Sequence, residues 1–329
     1  MTAKELPRYL RRRFRRARRD FKRDNETRLE HAVLMLLGRA AYERLMFKKR
    51  VGYAPDLRHP QTYNEKIAWR KLYQKIPDAP MLADKLAVRD FVRQRVGESY
   101  LKDVIAVYER AEDIDFDALP DSFAAKGTHG SSFNAFVRDK ATEDLEDVRR
   151  RLAGFLAITD YGRYKNEWWY AKIAPRILIE PLLVDDRFGV PPDLKVYVYD
   201  GKVQMFLVNY YADYAKTQRG LTMYDRDWRD MGASRGYPSA TIEWRPKRLE
   251  ELVEVAETIA GNVDFLRVDF FCPNDEAIVF GEITLAPAAG WLPFNPVSAD
   301  FEAGSYWRLR PALDIAAPPS TDSSRVDAL

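Results

Sequence analysis

Asp269 and Glu282 stand inside two runs that are otherwise apolar, β-branched and aromatic, FLRVDFF (265–271) and AIVFGEIT (277–284). A carboxylate in such a run is costly to bury unless something positive meets it. The runs flank Pro273-Asn274-Asp275, a turn-forming string, and so read as a β-hairpin. A register symmetric about that turn pairs Phe271 with Phe280, Asp269 with Glu282 and Arg267 with Thr284. One face then holds Arg267, Asp269, Glu282 and Thr284, and the other Val268, Phe270, Gly281 and Ile283. Opposed carboxylates repel, so the pair invites a cation. Magnesium suits it best, as a hard ion that takes one or two carboxylates and completes its shell with water and nucleotide phosphates. The plainer alternative is that Arg267 pairs with one of the acids on a solvated face.

A second stretch with chemistry is KGTHGSS (126–132), between predicted strands at 122–125 and 133–137. It joins Lys126 to glycines that let backbone amides, those of Gly130 and Ser131 among them, turn toward an anion such as phosphate. The GxxxxGK[ST] loop is absent, and His129 reads as a turn residue bonding locally. Glu180 ends the apolar run RILIE before Pro181, where a carboxylate and nearby backbone could meet an adenine ring or form an edge salt bridge. Asp193 and Lys195 open the next strand, with Lys195, Tyr197 and Tyr199 alternating on one face. With only three His and one Cys, no Ser/His/Asp or Cys/His arrangement stands out, and no covalent nucleophile is required.

The elements that must position these residues are legible in outline. Helices are predicted at 31–47, 62–73, 81–96, 142–156 and 247–260. Thr62 and Glu65 have capping-box spacing, and the 81–96 helix carries Asp84, Lys85 and Arg89. Residues 176–184 read as a strand that Pro181 interrupts, marking an edge or a bend. The strands 194–199 and 202–211 flank the turn Asp200-Gly201. Trp168, Trp169, Tyr197, Tyr210, Tyr211 and Trp291 could stack on sugars, but core packing is the safer reading for most. Asp225-Arg226-Asp227 is a DxD string of the sort that holds a nucleotide sugar in a glycosyltransferase; a surface turn is the preferred reading.

The chain has 329 residues and a net charge of +3, enough to bury a substantial core in two lobes. Residues 1–23 carry eleven Lys or Arg against Glu5 and Asp20, while Leu6, Leu10, Phe14, Ala17 and Phe21 recur at helical spacing. Such a basic amphipathic helix suits an anionic membrane surface; nucleic acid would attract the same charge but is not the expected partner. A single cysteine, Cys272, permits no internal disulfide and fits a reducing compartment. No segment is read as a signal peptide or a membrane span, so a cytoplasmic location, peripheral at the inner membrane face through residues 1–24, is expected.

Taken in order, TYNEKIAWRKLY, LADKLAVRDFV, LPDSFAAKGTHGSS, PRILIEPLL, PDLKVYVYDGKV, FLRVDFF and FGEITLAP resemble the TupA-like ATP-grasp family, from about Gly52 to Arg310. The resemblance implies an α+β ATP-grasp fold whose two α+β subdomains clasp ATP. Residues 1–50 would form a basic helical extension and 51–310 the catalytic domain, with parts at 51–120, 121–182 and 183–310; 311–329 would be a disordered tail. It further implies that Lys85 and Lys126 contact the phosphates, Glu180 and the backbone near Leu182 the adenine, and Asp193 the ribose or a nearby group. Asp269 and Glu282 would hold Mg2+, with Thr284 standing where many relatives place an Asn ligand. The implied reaction is phosphoryl transfer from ATP to a carboxylate, followed by attack of an amine to give an amide. Lys126, Arg267 and the ion would control charge during transfer. The family's association with surface polysaccharides points to a uronic acid or similar acceptor. A sugar kinase keeping the same ATP site is a further alternative.

Overall fold

The computed structural model describes residues 29–211, 219–236 and 244–313. The predicted basic helix over 1–24 and residues 314–329 of the predicted tail lie outside them, as do the side chains of Tyr210 and Tyr211.

Helical residues 29–37 lead, across Gly38, into α1 (Arg39–Val51). The helix predicted as continuous over 31–47 is divided there because Gly38 adopts a φ of 74°. The interior side of α1 packs Tyr42, Met46 and Phe47 against Leu34, Ala68 and Trp291, so the described part of the extension is docked on the body. Next, α2 (Tyr63–Tyr73) begins at a true capping box: Thr62 Oγ1 accepts from Glu65 N, and the Glu65 carboxylate accepts from Thr62 N. The predicted 81–96 helix is two pieces, α3 (Ala79–Ala83) and α4 (Val88–Val96). The Asp84 carboxylate accepts from Leu86 N at 2.8 Å, a local bond that competes with the helical ladder and opens the turn bearing Lys85.

The first sheet is antiparallel, in the order β1-β4-β2-β3, from β1 (Ala106–Tyr108), β2 (Phe123–Gly127), β3 (Asn134–Val137) and β4 (Ile177–Glu180). It recruits β1 from ahead of the expected boundary at 121. Strand β2 extends to Gly127, so Lys126 sits on a strand end and not in the loop. Helix α5 (Leu145–Leu156), capped by Asp144, buries Val148 and Leu152 against Phe123, Ala125, Val137 and Ile179. Strand β4 stops at Glu180 because Pro181 has no amide to continue the ladder, yet β4 lies inside the sheet and not at its edge.

The second sheet has the order β10-β9-β5-β6-β7 and is also antiparallel. Its strands are β5 (Asp193–Tyr199), β6 (Lys202–Tyr211), β7 (Arg219–Asp225), β9 (Phe265–Phe271) and β10 (Val279–Thr284); β8 (Ser234–Arg235) pairs with β11 (Phe294–Asn295) in a small separate ribbon. Along β5 and β9, Leu194 faces Phe270, Val196 faces Val268 and Val198 faces Leu266. That apolar face shares a core with Leu252, Val255, Ala256 and Ile259 of α6 (Leu249–Ala260). Because side chains alternate, the opposite face collects what remains: Asp193, Lys195 and Tyr197 of β5 beside Asp269 and Arg267 of β9. Helix α7 (Ser298–Ser305) closes the body, with Asp300 accepting from Asn64 N at the start of α2.

The hairpin differs from the symmetric register at one point. Phe271 pairs with Val279 and Phe270 with Phe280, after which an extra residue at Gly281 restores Asp269 opposite Glu282 and Arg267 opposite Thr284. A Cβ at Gly281 would lie 3.0 Å from the Asp269 carbonyl oxygen, so a larger residue in the bulge would push that strand back by a few tenths of an ångström.

Candidate active site

The two sheets face each other across a cleft of about 330 Å³, within the range of small-molecule pockets. The first sheet and its loop contribute Lys126, Ser131, Ser132 and Asn134. The second contributes Asp193, Lys195, Arg267, Asp269 and Glu282. Leu182, in the segment that follows Pro181, forms part of the wall with Ala124, Phe136, Val190 and Phe271, a mostly apolar surface suited to a flat base.

On the carboxylate side, Arg267 grips Asp269 with two nearly parallel bonds, Nε to Oδ1 at 2.6 Å and Nη2 to Oδ2 at 2.7 Å. Lys195 Nζ reaches the same Oδ2 at 2.7 Å and both oxygens of Asp193. Arg267 Nη2 also donates to Thr284 Oγ1 at 2.8 Å and lies 3.6 Å from Glu282 Oε1. Burial pushes the Asp269 carboxyl up, against the pull of Arg267 and Lys195, while the acids around those two cations raise both of them. Glu282 is more open. Lys85 and Arg267 outweigh the effect of burial and bring it down to about 2.

On the loop side, Glu180 is ringed by cations: Lys126 Nζ at 2.8 Å, Arg89 Nη1 at 3.4 Å and a short contact from Lys102. Burial would raise its carboxyl, but Lys126 and Lys102 together bring it to about 2. Burial and the neighbouring Lys126 charge lower Lys102 to about 7, whereas Lys126, despite its burial, is raised by Glu180. The Glu180 carboxylate thus orients a pair of lysines. Lys85 links the two sides, donating to Gly130 O at 2.6 Å and lying 3.3 Å from Glu282 Oε2. Gly130 lets the loop lie against the Phe133 ring, since a Cβ there would be 2.6 Å from it.

The fold therefore brings Lys85, Lys126, Ser131, Leu182, Asp193, Lys195, Arg267, Asp269 and Glu282 to one cleft. Gly130, Glu180 and Thr284 sit directly behind it, bonded to residues that line it. Lys102 and Asn209 also line it and carry no local sequence signal, Lys102 because it lies in an irregular segment. Asn209 is opposite Asp193 and is found by register alone.

The donor set fits magnesium in one form. Among the described residues no cluster of three or more His, Cys, Asp and Glu could cage a metal. Glu282 presents a partly open carboxylate to the cleft, whereas both oxygens of Asp269 opposite it are taken by Arg267 and Lys195, the plainer pairing that the sequence also allowed; a hard ion that keeps water and phosphate oxygens in its shell would therefore be held at Glu282 and share Asp269 with those cations.

Other features fall away from the cleft. Asp225 Oδ1 accepts from Asp227 N and Arg229 N, so the DxD string is a surface turn. Trp169 and Tyr197 are core residues, and Trp291 packs in the cluster beneath α1. His129 is buried with its Nε2 on the Phe155 carbonyl oxygen.

Solved structures similar to this chain include D-alanine–D-alanine ligase from Bacillus anthracis complexed with ATP (13% identity, 62% of this chain and 54% of that chain, TM-score 0.37). The ATP-grasp ligase PsnB with a minimal precursor (16%, 64% and 54%, 0.36) and the D-cycloserine synthetase DcsG (12%, 64% and 64%, 0.37) are similar to a like degree. The chain spans about half the length of the first of these. No curated protein matches. The family described as TupA-like ATPgrasp matches residues 65–308, most of the chain and all the strands that build the cleft. The chain belongs to the TupA-like ATP-grasp family and carries the ATP-grasp fold.

Proposed function

We propose that the protein is an ATP-dependent carboxylate–amine ligase that forms an amide through an acyl phosphate. The observation that carries this reading is Lys85: it joins the glycine loop at Gly130 to the acid hairpin at Glu282, so phosphate-type and metal-type residues share one cleft. Transfer from an anionic triphosphate to an anionic acceptor demands neutralisation of oxygens held in line. Lys126, Lys102 and Lys85 supply positive charge beside the loop amides. Asp269 and Glu282 would hold Mg2+, which when bound draws phosphate oxygens together and offsets their charge. Arg267, locked by Asp269 and Thr284, keeps its guanidinium at the same end of the cleft. The apolar wall at Leu182 and Phe271 suits the adenine, and Asp193 the ribose or a group near it.

The preferred acceptor is a uronic acid or similar carboxylate of a surface polysaccharide or its precursor, with an amine as nucleophile. The family's association supports that choice, and the basic segment 1–24 supports work at an anionic membrane surface. The test is incubation with ATP, magnesium and candidate uronic acids, with and without amines. ADP, free phosphate and an amide are expected; ADP with a stable phosphosugar would indicate a kinase, and release of UDP from a sugar donor a transferase.

A further inference from the structure

The three most exposed large apolar side chains among the described residues are Leu36 (84%), Met35 (71%) and Leu29 (66%), and all lie in helical residues 29–37. Leu29, Ala32 and Leu36 follow one another at spacings of three and four, so they share a face, with Met35 beside it. Leu34 points the other way, into the core formed with Tyr42, Phe47 and Trp291. A helix docked on one side ordinarily turns polar residues outward. This one turns leucines and a methionine outward, and such a patch marks a surface for another body.

The surrounding charge indicates which body. Residues 1–28 end directly at Leu29 and hold twelve Lys or Arg against four Asp or Glu. Arg44, Lys48 and Lys49 of α1 are also exposed. A second copy of the chain would bring the same positive charge to the same face and be repelled. An anionic bilayer complements both features, because its headgroups attract the cations while its boundary accepts apolar side chains.

We propose that the outward face of residues 29–37, formed by Leu29, Ala32, Met35 and Leu36, enters the headgroup boundary of an anionic bilayer, with the basic segment before it supplying the attraction. This rests on the reading above that the basic segment meets a membrane. The packing of Leu34 makes the contact orienting as well as adhesive, since the inserted helix is fastened to the body that carries the cleft.

The experiment uses the full chain and sedimentation with vesicles of phosphatidylcholine and phosphatidylglycerol in equal proportion. The double variant Met35→Ser with Leu36→Ser, its basic segment intact, is expected to bind at least about tenfold more weakly, from loss of apolar burial, with an unchanged unfolding midpoint. Vesicle binding equal to that of the unaltered chain would overturn the inference. So would a dimer of the unaltered chain that the double variant dissolves while still binding vesicles, since a second copy would then cover the face. Deleting residues 2–24 separates the two readings: loss on deletion without loss on substitution overturns the insertion and leaves the basic-segment reading standing, whereas full binding after deletion, with loss on substitution, overturns the basic-segment reading and leaves the insertion standing.

Discussion

The Lys85 ammonium lies 3.3 Å from the Glu282 carboxylate, although 197 positions separate them in the chain and they belong to opposite walls of the cleft. Lys85 is placed by the break between α3 and α4, and Glu282 by the bulge in β10. Each therefore depends on an irregularity, and the closeness of the pair reports whether both have formed.

The two acids of the hairpin should behave differently when neutralised. Asp269 is buried beneath Arg267 and Lys195, so Asp269→Asn leaves buried cations short of a partner and should cost about 3 kcal/mol or more. Glu282 is partly open and its cations keep other partners in Gly130 O and Asp269, so Glu282→Gln should cost less, about 1–2 kcal/mol. Both should abolish turnover. Urea unfolding beside a turnover assay separates the effects; equal destabilisation would mean that Glu282 is held as tightly as Asp269.

Acid should weaken the fold through Glu180. Its folded carboxyl lies at about 2, below the ordinary 4.5, so its stabilising effect is complete above about 4.5 and is lost as pH falls toward about 2. Glu180→Gln removes that titration and should flatten stability against pH across this window, while lowering it at neutral pH by about 3 kcal/mol through the stranded Lys102 and Lys126. Urea midpoints at a series of pH values provide the check.

Lys102 should take up a proton when nucleotide binds. Burial and Lys126 bring it to about 7, so at pH 8 it is mostly neutral, and an arriving triphosphate would restore its charge. Calorimetry of a non-hydrolysable ATP analogue with magnesium should show buffer-dependent heats at pH 8 that diminish at pH 6. Lys102→Met should remove the dependence; its persistence would assign the proton to another group.

Gly281 should tolerate a bulky side chain poorly. Gly281→Val would press on the Asp269 carbonyl oxygen and the Phe271 ring, costing about 1–3 kcal/mol and turning Glu282 from its place. The expected result is lower turnover at temperatures where the fold persists, measured alongside thermal unfolding.

The pairing of Asp269 with Glu282 was legible because strand alternation and a turn string are local signals, and β-branched residues mark both strands. The bulge at Gly281 is not, since a symmetric register counts residues one for one and an extra residue leaves no local mark. The break at Asp84 is hidden in the sequence for a related reason: the apolar spacing runs on through it, and a single side-chain bond to Leu86 N opens the turn. Lys102 and Asn209 gain meaning only from what lies opposite them in the folded chain. Lys126 and Glu180 carry separate signals in the sequence, one suited to phosphate and one to adenine, because the β2–β4 pairing that joins them as an ion pair is long-range.

Titration calorimetry of a non-hydrolysable ATP analogue bears most directly on the convergence of the glycine loop and the acid hairpin. Magnesium-dependent binding of one nucleotide per chain, greatly weakened by Glu282→Gln in a protein that remains folded, is the predicted result. No binding, or binding indifferent to both magnesium and that substitution, would contradict it.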